Sequence, residues 1–297
     1  MSDTQRRLLV TGASGHLGHR IVERLLESGQ TNVVAATRSP EKLADLAERG
    51  VLTVASDFDR PETLDAAFAN VDGLLIVSTD ALGVPGQRQR QHLNAVEAAV
   101  RAGVRHIVYT SMPNPEPGSL IPFAPDHHAT EQAIEQSGIP FTILRVNWYA
   151  EAVHLWLPQA LKTGTWFSSA GEGCVPYIAR EDVARAAAAA LSRGVAEGRL
   201  NVTGPAALTT AQIADIVNTV FDASIAVVSV SDEELERGLL DVGLPGPLVE
   251  LLVAMDANTR AGGVDVVSDA VERLTGTPAR GLREFLAEQR TALAQGA

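Results

Sequence analysis

Val10-Thr11-Gly12-Ala13-Ser14-Gly15-His16-Leu17-Gly18 is the stretch that decides the fold. Three glycines recur at intervals of three, just after a strand expected at 7–10 whose apolar run is Leu8-Leu9-Val10. Directly after them, Leu17, Ile21, Val22, Leu25 and Leu26 share one face of a helix expected over 17–28. Glycine lets a chain turn sharply and lets backbone approach a phosphate with no Cβ in the way. The helix start that follows offers unpaired amides and a partial positive charge. A strand, a glycine turn and a helix in this order form the first βα unit of a dinucleotide-binding sheet. On this reading Gly12, Ser14, Gly15, His16, Leu17 and Gly18 cradle a pyrophosphate, and Gly29 stops the helix.

Outward from the turn the alternation continues. Strands are expected at 32–37, 51–55, 73–78, 106–110 and 141–145, with helices at 40–49, 61–68 and 86–102 between them. Ser39 is the expected N-cap of the second helix, with Pro40 at its first position. The unbroken apolar run within 73–78 suits a central parallel strand covered on both faces. The fold class is therefore α/β, a Rossmann-type doubly wound parallel sheet.

Beyond Val146 the rhythm loosens. A short strand at 164–168, a turn at Gly171-Glu172-Gly173 and a helix at 180–191 capped near Glu181 and Asp182 come first. A helix at 209–221 with Thr209 as N-cap, a strand at 225–230 and a helical tail from Gly246 follow. The expected division is a dinucleotide-binding core over 1–150 and a smaller C-terminal substrate lobe over 151–297, partly interleaved with the core.

The end of the second strand selects the dinucleotide. NAD sites usually place a carboxylate there for the ribose hydroxyls. Here the chain reads Ala35-Ala36-Thr37-Arg38, and an arginine suits the 2′-phosphate of NADP(H) instead. Asp57 and Phe58 follow the third strand, where adenine would lie. Ser78 and Thr79 follow the fourth, where ribose and nicotinamide would pass.

Composition bounds the rest. A chain of 297 residues with a net charge of −12 lacks the basic field that nucleic acid or an anionic membrane surface requires. Cys174 is the sole cysteine and is expected to be a buried, inert thiol, and the histidines show no metal-ligand spacing. The N-terminus has no apolar stretch of signal-peptide length, and the alanine run 186–190 is too short to span a bilayer. A cytoplasmic protein with no nucleic-acid or membrane partner is expected; a homodimer is compatible with these residues but not written in them.

Further blocks carry a family resemblance. They are Thr37-Arg38-Ser39-Pro40-Glu41-Lys42, Gln91-His92-Leu93-Asn94, Ala102-Gly103-Val104-Arg105-His106 and Tyr109-Thr110-Ser111. His127-His128-Ala129-Thr130-Glu131 follows, then the run from Ser137 to Arg145 and on to Asn147-Trp148-Tyr149. With the glycine turn, these make the chain similar to the NmrA-like atypical short-chain dehydrogenases over most of its length. The resemblance is strongest to the NADPH-dependent quinone oxidoreductase 2 type.

That resemblance implies NADPH-dependent hydride transfer to a quinone or another activated small aromatic acceptor. It also contains a departure. Wider relatives carry Tyr-x-x-x-Lys on the helix before the sixth strand, and the corresponding places here hold Phe123 and His127. Ser111 on the fifth strand is retained. A quinone tolerates the loss, because its reduction yields an aromatic hydroquinone anion, whereas general acid help is worth about 10²–10⁴-fold in rate.

His127, Ser111 and Tyr149 are the expected catalytic group, with Met112, Asn147 and Trp148 lining the substrate pocket. Alternatives stay open at several places. His127 is either a proton donor, since imidazole titrates near neutrality, or a ribose contact. Trp148 and Tyr149 form either a wall for a flat substrate or plain core. Asn147 is placed to orient a carbonyl oxygen, and Glu131 either pairs with the neighbouring histidines or caps. The competing function is a non-catalytic NADP(H)-binding redox sensor acting through a protein partner; reduction of an imine, azo or enone compound is a third reading.

Overall fold

Residues along Leu8-Leu9-Val10 alternate between two separate apolar layers: Leu8 and Val10 pack into one, Leu9 into the other. Val33–Thr37 and Gly73–Ile76 are likewise buried along their whole length. A strand with period-two side chains and no exposed face must lie between two layers of helices. The computed structural model describes residues 6–295 and shows that arrangement.

The strands in chain order are β1 (Leu8–Val10), β2 (Val33–Thr37), β3 (Leu52–Ala55), β4 (Gly73–Ile76), β5 (His106–Ser111) and β6 (Phe141–Val146). Then come β7 (Thr165–Ser168), β8 (Cys174–Val175), β9 (Gly198–Val202), β10 (Leu208–Thr209) and β11 (Ala226–Ser229). Seven of them form a parallel sheet in the order β3-β2-β1-β4-β5-β6-β9. The helices are α1 (His16–Glu27), α2 (Ala44–Glu48), α3 (Pro61–Phe68), α4 (Gln87–Ala102), α5 (Ala124–Gln136) and α6 (Leu157–Thr163). They continue as α7 (Arg180–Arg193), α8 (Thr210–Phe221), α9 (Asp232–Asp241), α10 (Gly246–Arg260), α11 (Ala270–Thr275) and α12 (Leu282–Gln295).

One face of the sheet is covered by α1, α7 and α11, the other by α3, α4 and α5. The alanine run of α7 is what brings α7 close to α1 and the sheet, and it is not a membrane element; Arg20 and Arg24 of α1 both pair with Glu181 of α7. No helix among the described residues is long and apolar enough to cross a membrane.

The elements differ from expectation in instructive places. The fourth strand stops at Ile76, not 78. The amides of Val77, Ser78 and Thr79 donate to Thr11 Oγ1, Thr110 Oγ1 and His92 Nε2 at 3.0, 2.9 and 3.0 Å, so side chains replace the ladder. The segment 40–49 is a 3₁₀ turn (Pro40–Leu43) running into α2, and Ser39 makes no side-chain cap bond. Glu181 and Asp182 do not cap α7, whose N-cap is Ala179; Asp182 instead holds Arg185 and the Arg280 amide. Thr209 does cap α8, in a reciprocal capping box with Gln212. Cys174 is half-buried in β8, and burial pushes its thiol above the usual range.

β9 was not anticipated. Only Leu200 and Val202 of its five residues are buried, the weak alternation of an edge strand. It comes from the C-terminal half of the chain yet completes the central sheet. A separate apolar cluster gathers Val153, Leu157, Val217 and Leu286, and Trp148 at the end of β6 packs against it. Asn114 Nδ2 and Asn147 Nδ2 donate to the carbonyls of Gly263 and Val264, both at 2.9 Å, tying that C-terminal region to the sheet's carboxyl edge.

Candidate functional site

β1 and β4 lie side by side where the strand order reverses, so a crevice opens beyond their carboxyl ends. The glycine turn sits there. Gly12 takes φ +63°, a conformation that side chains rarely adopt. A Cβ on Gly18 would lie 2.3 Å from the Gly12 carbonyl oxygen, so the helix start can close on the turn only as glycine. The Gly15 amide donates to Gly12 O and the Ala13 amide to Ala36 O, each at 3.0 Å. Ser14 Oγ lies 2.7 Å from Thr37 Oγ1, a second tie to β2.

Gly12, Ser14, Gly15 and His16 are exposed on the lip of the crevice, while Leu17 and Gly18 are buried beneath it. No side chain caps α1, so its first amides face the crevice without a protein acceptor. Arg38, just past β2, is exposed and forms no ion pair with another described residue. An uncapped helix start over a cradle that a Cβ would fill, with an unpaired guanidinium beside it, fits a dinucleotide pyrophosphate and a further phosphate. Asp57 is half-buried and its Oδ1 accepts from the Asp59 amide at 3.0 Å. The Phe58 ring belongs to the core, and its carbonyl accepts from Asn94.

The crevice runs past Val77 and Ser78 into a cleft of about 450 Å³. Of the expected catalytic and pocket residues, Ser111, Met112, His127, Asn147, Trp148 and Tyr149 all line it, and so does Ser78. Thr79 does not; its carbonyl and amide hold Arg88 and His92 at the rim. The walls are mixed apolar and aromatic, from Met112, Phe123, Trp148, Tyr149 and, on α10, Met255. Among the described residues, just two buried donors on this cleft have no hydrogen-bond partner: Trp148 Nε1 and one terminal nitrogen of Arg88.

His127 sits on α5, 3% exposed, between two partners. Arg88 donates to its Nε2 at 2.8 Å, because a guanidinium can only donate. Its Nδ1 must then carry the proton, which it gives to the Tyr109 hydroxyl at 2.8 Å. Burial, then Arg88 and His92, push the His127 imidazole well below its usual range. His92, four residues after Arg88 on α4, is held to about 3 by burial and Arg88. Both rings are neutral at physiological pH. The expectation that His127 titrates near neutrality therefore does not match its surroundings, and both its nitrogens are engaged within the protein.

Other members are similarly engaged. Ser111 Oγ donates to Glu131 Oε1 at 2.6 Å, which leaves its oxygen lone pairs, not its proton, toward the cleft. Glu131 is buried under Arg145 and Arg199 and pairs with neither histidine of its own helix. Burial pushes the Tyr149 phenol up to about 12, and Arg180 lies over its ring. Asn147 uses Nδ2 on Val264 O and Oδ1 on the Trp148 amide at 2.8 Å, so its amide shapes the wall and not a substrate carbonyl. Of the described cleft residues, Ser111, His127 and Tyr149 thus offer no proton that is readily given up at neutral pH.

Arg88, His92, Tyr109, Phe123 and Met255 join this site without having been singled out as its members. A signal for the first pair existed: Arg88 and His92 are four apart on one helix and share a buried face. Met255 lay beyond reach, since nothing local says that α10 returns to the carboxyl edge.

Comparison with known proteins accords with this geometry. A family described as NAD(P)H-binding matches residues 12–193. Quinone oxidoreductase 2 of Escherichia coli K12 is 33% identical over 93% of this chain and 96% of its own. The crystal structure of the E. coli NADPH-dependent quinone oxidoreductase QOR2 with NADPH superposes with a TM-score of 0.89 at 32% identity, over 95% of this chain and 99% of that one. Citrobacter sp. triphenylmethane reductase with NADP(H) gives 0.88 at 33% identity, over 95% and 99%. The seven-stranded sheet, the glycine turn at its switch point and these matches together place the chain in the NAD(P)H-binding family, among the NmrA-like oxidoreductases.

Proposed function

We propose that the protein is an NADPH-dependent oxidoreductase that reduces a quinone or a similarly activated flat acceptor. The observation that carries the reading is the continuity of the site: an uncapped glycine turn with an unpaired Arg38 opens into an aromatic cleft in which Ser111, His127 and Tyr149 offer no ready proton. Bound NADPH supplies a hydride. The chain's own residues bind and orient. The free amides at the start of α1, from His16 onward, take the pyrophosphate above the Gly12–Gly15 turn, and Arg38 takes the 2′-phosphate through charge-assisted contacts worth about 1.5–3 kcal/mol. Asp57 and the Phe58 backbone border the adenine, and Ser78 with Thr79 border the ribose and nicotinamide.

Trp148, Tyr149, Met112 and Met255 then hold a flat ring and exclude water around it. An acceptor that becomes a stable aromatic anion suits a cleft whose imidazoles are neutral and whose phenol is pushed to about 12. The named acceptors of the relatives, quinones and triphenylmethane dyes, are conjugated and take a hydride readily, which supports an activated aromatic acceptor here. Residues 151–297 serve as the substrate lobe, with β9 and α7 lent to the core, and the cytoplasm is the compartment that supplies NADPH. A redox sensor without turnover is the weaker reading, because full-length relatives are named reductases.

The test is NADPH consumption against a panel of benzoquinones and naphthoquinones, with NADPH fluorescence followed in the same samples. Saturable, quinone-dependent consumption is expected. Enhanced fluorescence with no consumption across the panel would refute the catalytic reading while retaining the cofactor.

A further inference from the structure

Arg88 carries more than its visible bonds explain. It is 5% exposed, lies at the start of α4 and lines the cleft. Nε donates to the Thr79 carbonyl at 2.7 Å and one terminal nitrogen to His127 Nε2 at 2.8 Å. The other terminal nitrogen has no hydrogen-bond partner, and its ionic neighbour Asp126 stays 3.8 Å away. Leaving a buried donor unmade costs about 1–3 kcal/mol, more when it is charged. The two bonds that are made fix the guanidinium plane, so the third edge is locked into the cleft wall beside Phe123, over whose ring the cation sits at 5.3 Å, with its own nitrogen covered and within ionic range of Asp126.

We propose that Arg88 is the oxyanion receptor of the cleft, binding flat aromatic ligands that carry an ionised oxygen. The assignment rests on the reductase reading above and deepens it. Reduction of a quinone by one hydride, which brings two electrons and one proton, leaves a hydroquinone monoanion, and water then supplies the second proton. A guanidinium fixed in the cleft wall stabilises that anion by its charge, and by an N–H once the wall shifts to uncover it, without having to deliver a proton. His127 acts here as a positioning residue: neutral, it accepts from Arg88 and donates to Tyr109, and so holds the fork in place without competing for charge. A protonated imidazole would repel the guanidinium, which gives the neutral state a purpose.

The test uses two ligands of one shape: 2-hydroxy-1,4-naphthoquinone, ionised at neutral pH, and uncharged 1,4-naphthoquinone. Binding to the full chain is read calorimetrically without turnover, and reduction of the uncharged compound by NADPH is read separately. A charge-assisted contact predicts about 10–100-fold tighter binding of the ionised ligand. Its affinity should fall toward that of the neutral ligand as the pH drops through its own ionisation, a readout that needs no variant. Arg88→Met should bring the ratio near unity, and Arg88→Lys should restore part of it, with NADPH affinity and the melting temperature recorded as checks on the fold.

Equal affinities in the wild type, or an unchanged ratio in Arg88→Met, would overturn the proposal even if quinones are reduced. A loss in Arg88→Met that falls on NADPH affinity and not on the ratio would overturn it too, making Arg88 a cofactor contact. Should neither naphthoquinone bind or be reduced, the reductase reading fails and this proposal with it.

Discussion

The two ends of the crevice are built on opposite principles. At the glycine turn the ligand-facing groups are backbone, supplied by seven consecutive residues, and the side chains matter mainly by being small: a Cβ at Gly18 would meet a carbonyl at 2.3 Å. In the cleft the ligand-facing groups are side chains delivered by α4, α5, α10 and the ends of β4, β5 and β6, and the polar ones Ser111, His127 and Asn147 are held by partners far away in sequence. The first end asks little of the rest of the molecule. The second depends on the whole fold, so it can change its ligand by changing one side chain, while the turn cannot.

Substitutions should separate the two ends, the largest effects coming from the backbone end. Gly18→Val places a branched side chain against the Gly12 carbonyl, and the turn must open. NADPH affinity, titrated by fluorescence, should fall by roughly a hundredfold or more, corresponding to about 3 kcal/mol. Retained affinity would mean that the pyrophosphate is held elsewhere.

Arg38→Ala removes a side chain and leaves the turn intact. NADPH affinity should drop about 10–100-fold with NADH affinity nearly unchanged. Equal losses for both nucleotides would remove the 2′-phosphate assignment.

At the side-chain end, His127→Ala strips buried partners from Arg88 and Tyr109 at once. A destabilisation of about 1–3 kcal/mol is expected in urea unfolding, with the NADPH affinity of the folded fraction preserved. The wild-type rate of quinone reduction should show no limb near pH 6.5 attributable to this ring, because its folded-state value lies well below that. A limb there that disappears in His127→Gln would restore the acid role.

The most gradual effect, spread over several pH units, is on stability against pH. His92 and His106 are held near 3 and 4, below the ordinary value of 6.5. Under pH 6.5 the unfolded chain takes up protons that the folded chain refuses, so stability falls as the pH drops from about 6.5 toward 4. Each ring contributes about 1.4 kcal/mol per pH unit inside that window. His106→Gln should remove one such share from the acid slope, and an unchanged slope would show that ring to be protonated in the fold.

The same contrast explains what could be read ahead of the structure. The sheet, its βα rhythm and the glycine turn were legible because each is a local pattern: glycine spacing, period-two runs and a capping residue such as Thr209. The list of cleft residues was largely legible too, since positions just past β5 and β6 face the switch-point crevice in any such sheet. What those residues do was not. Ser111, His127 and Asn147 look like free polar groups in a sequence. In the fold each is already bonded to Glu131, Arg88 and Tyr109, or Val264, at separations that no local pattern reveals. β9 escaped because an edge strand with two buried residues leaves little periodicity, and Met255 because a helix's destination is a tertiary fact.

The measurement that bears most directly on the whole account is a single turnover. The protein is loaded with NADPH below one equivalent and mixed rapidly with excess 1,4-naphthoquinone, while nicotinamide fluorescence is followed. The account predicts that the enhanced signal of the bound nucleotide decays completely, at a rate that saturates with quinone concentration. A bound signal that persists unchanged at every quinone concentration would contradict it, leaving a crevice that holds NADPH without passing its hydride to the cleft beyond.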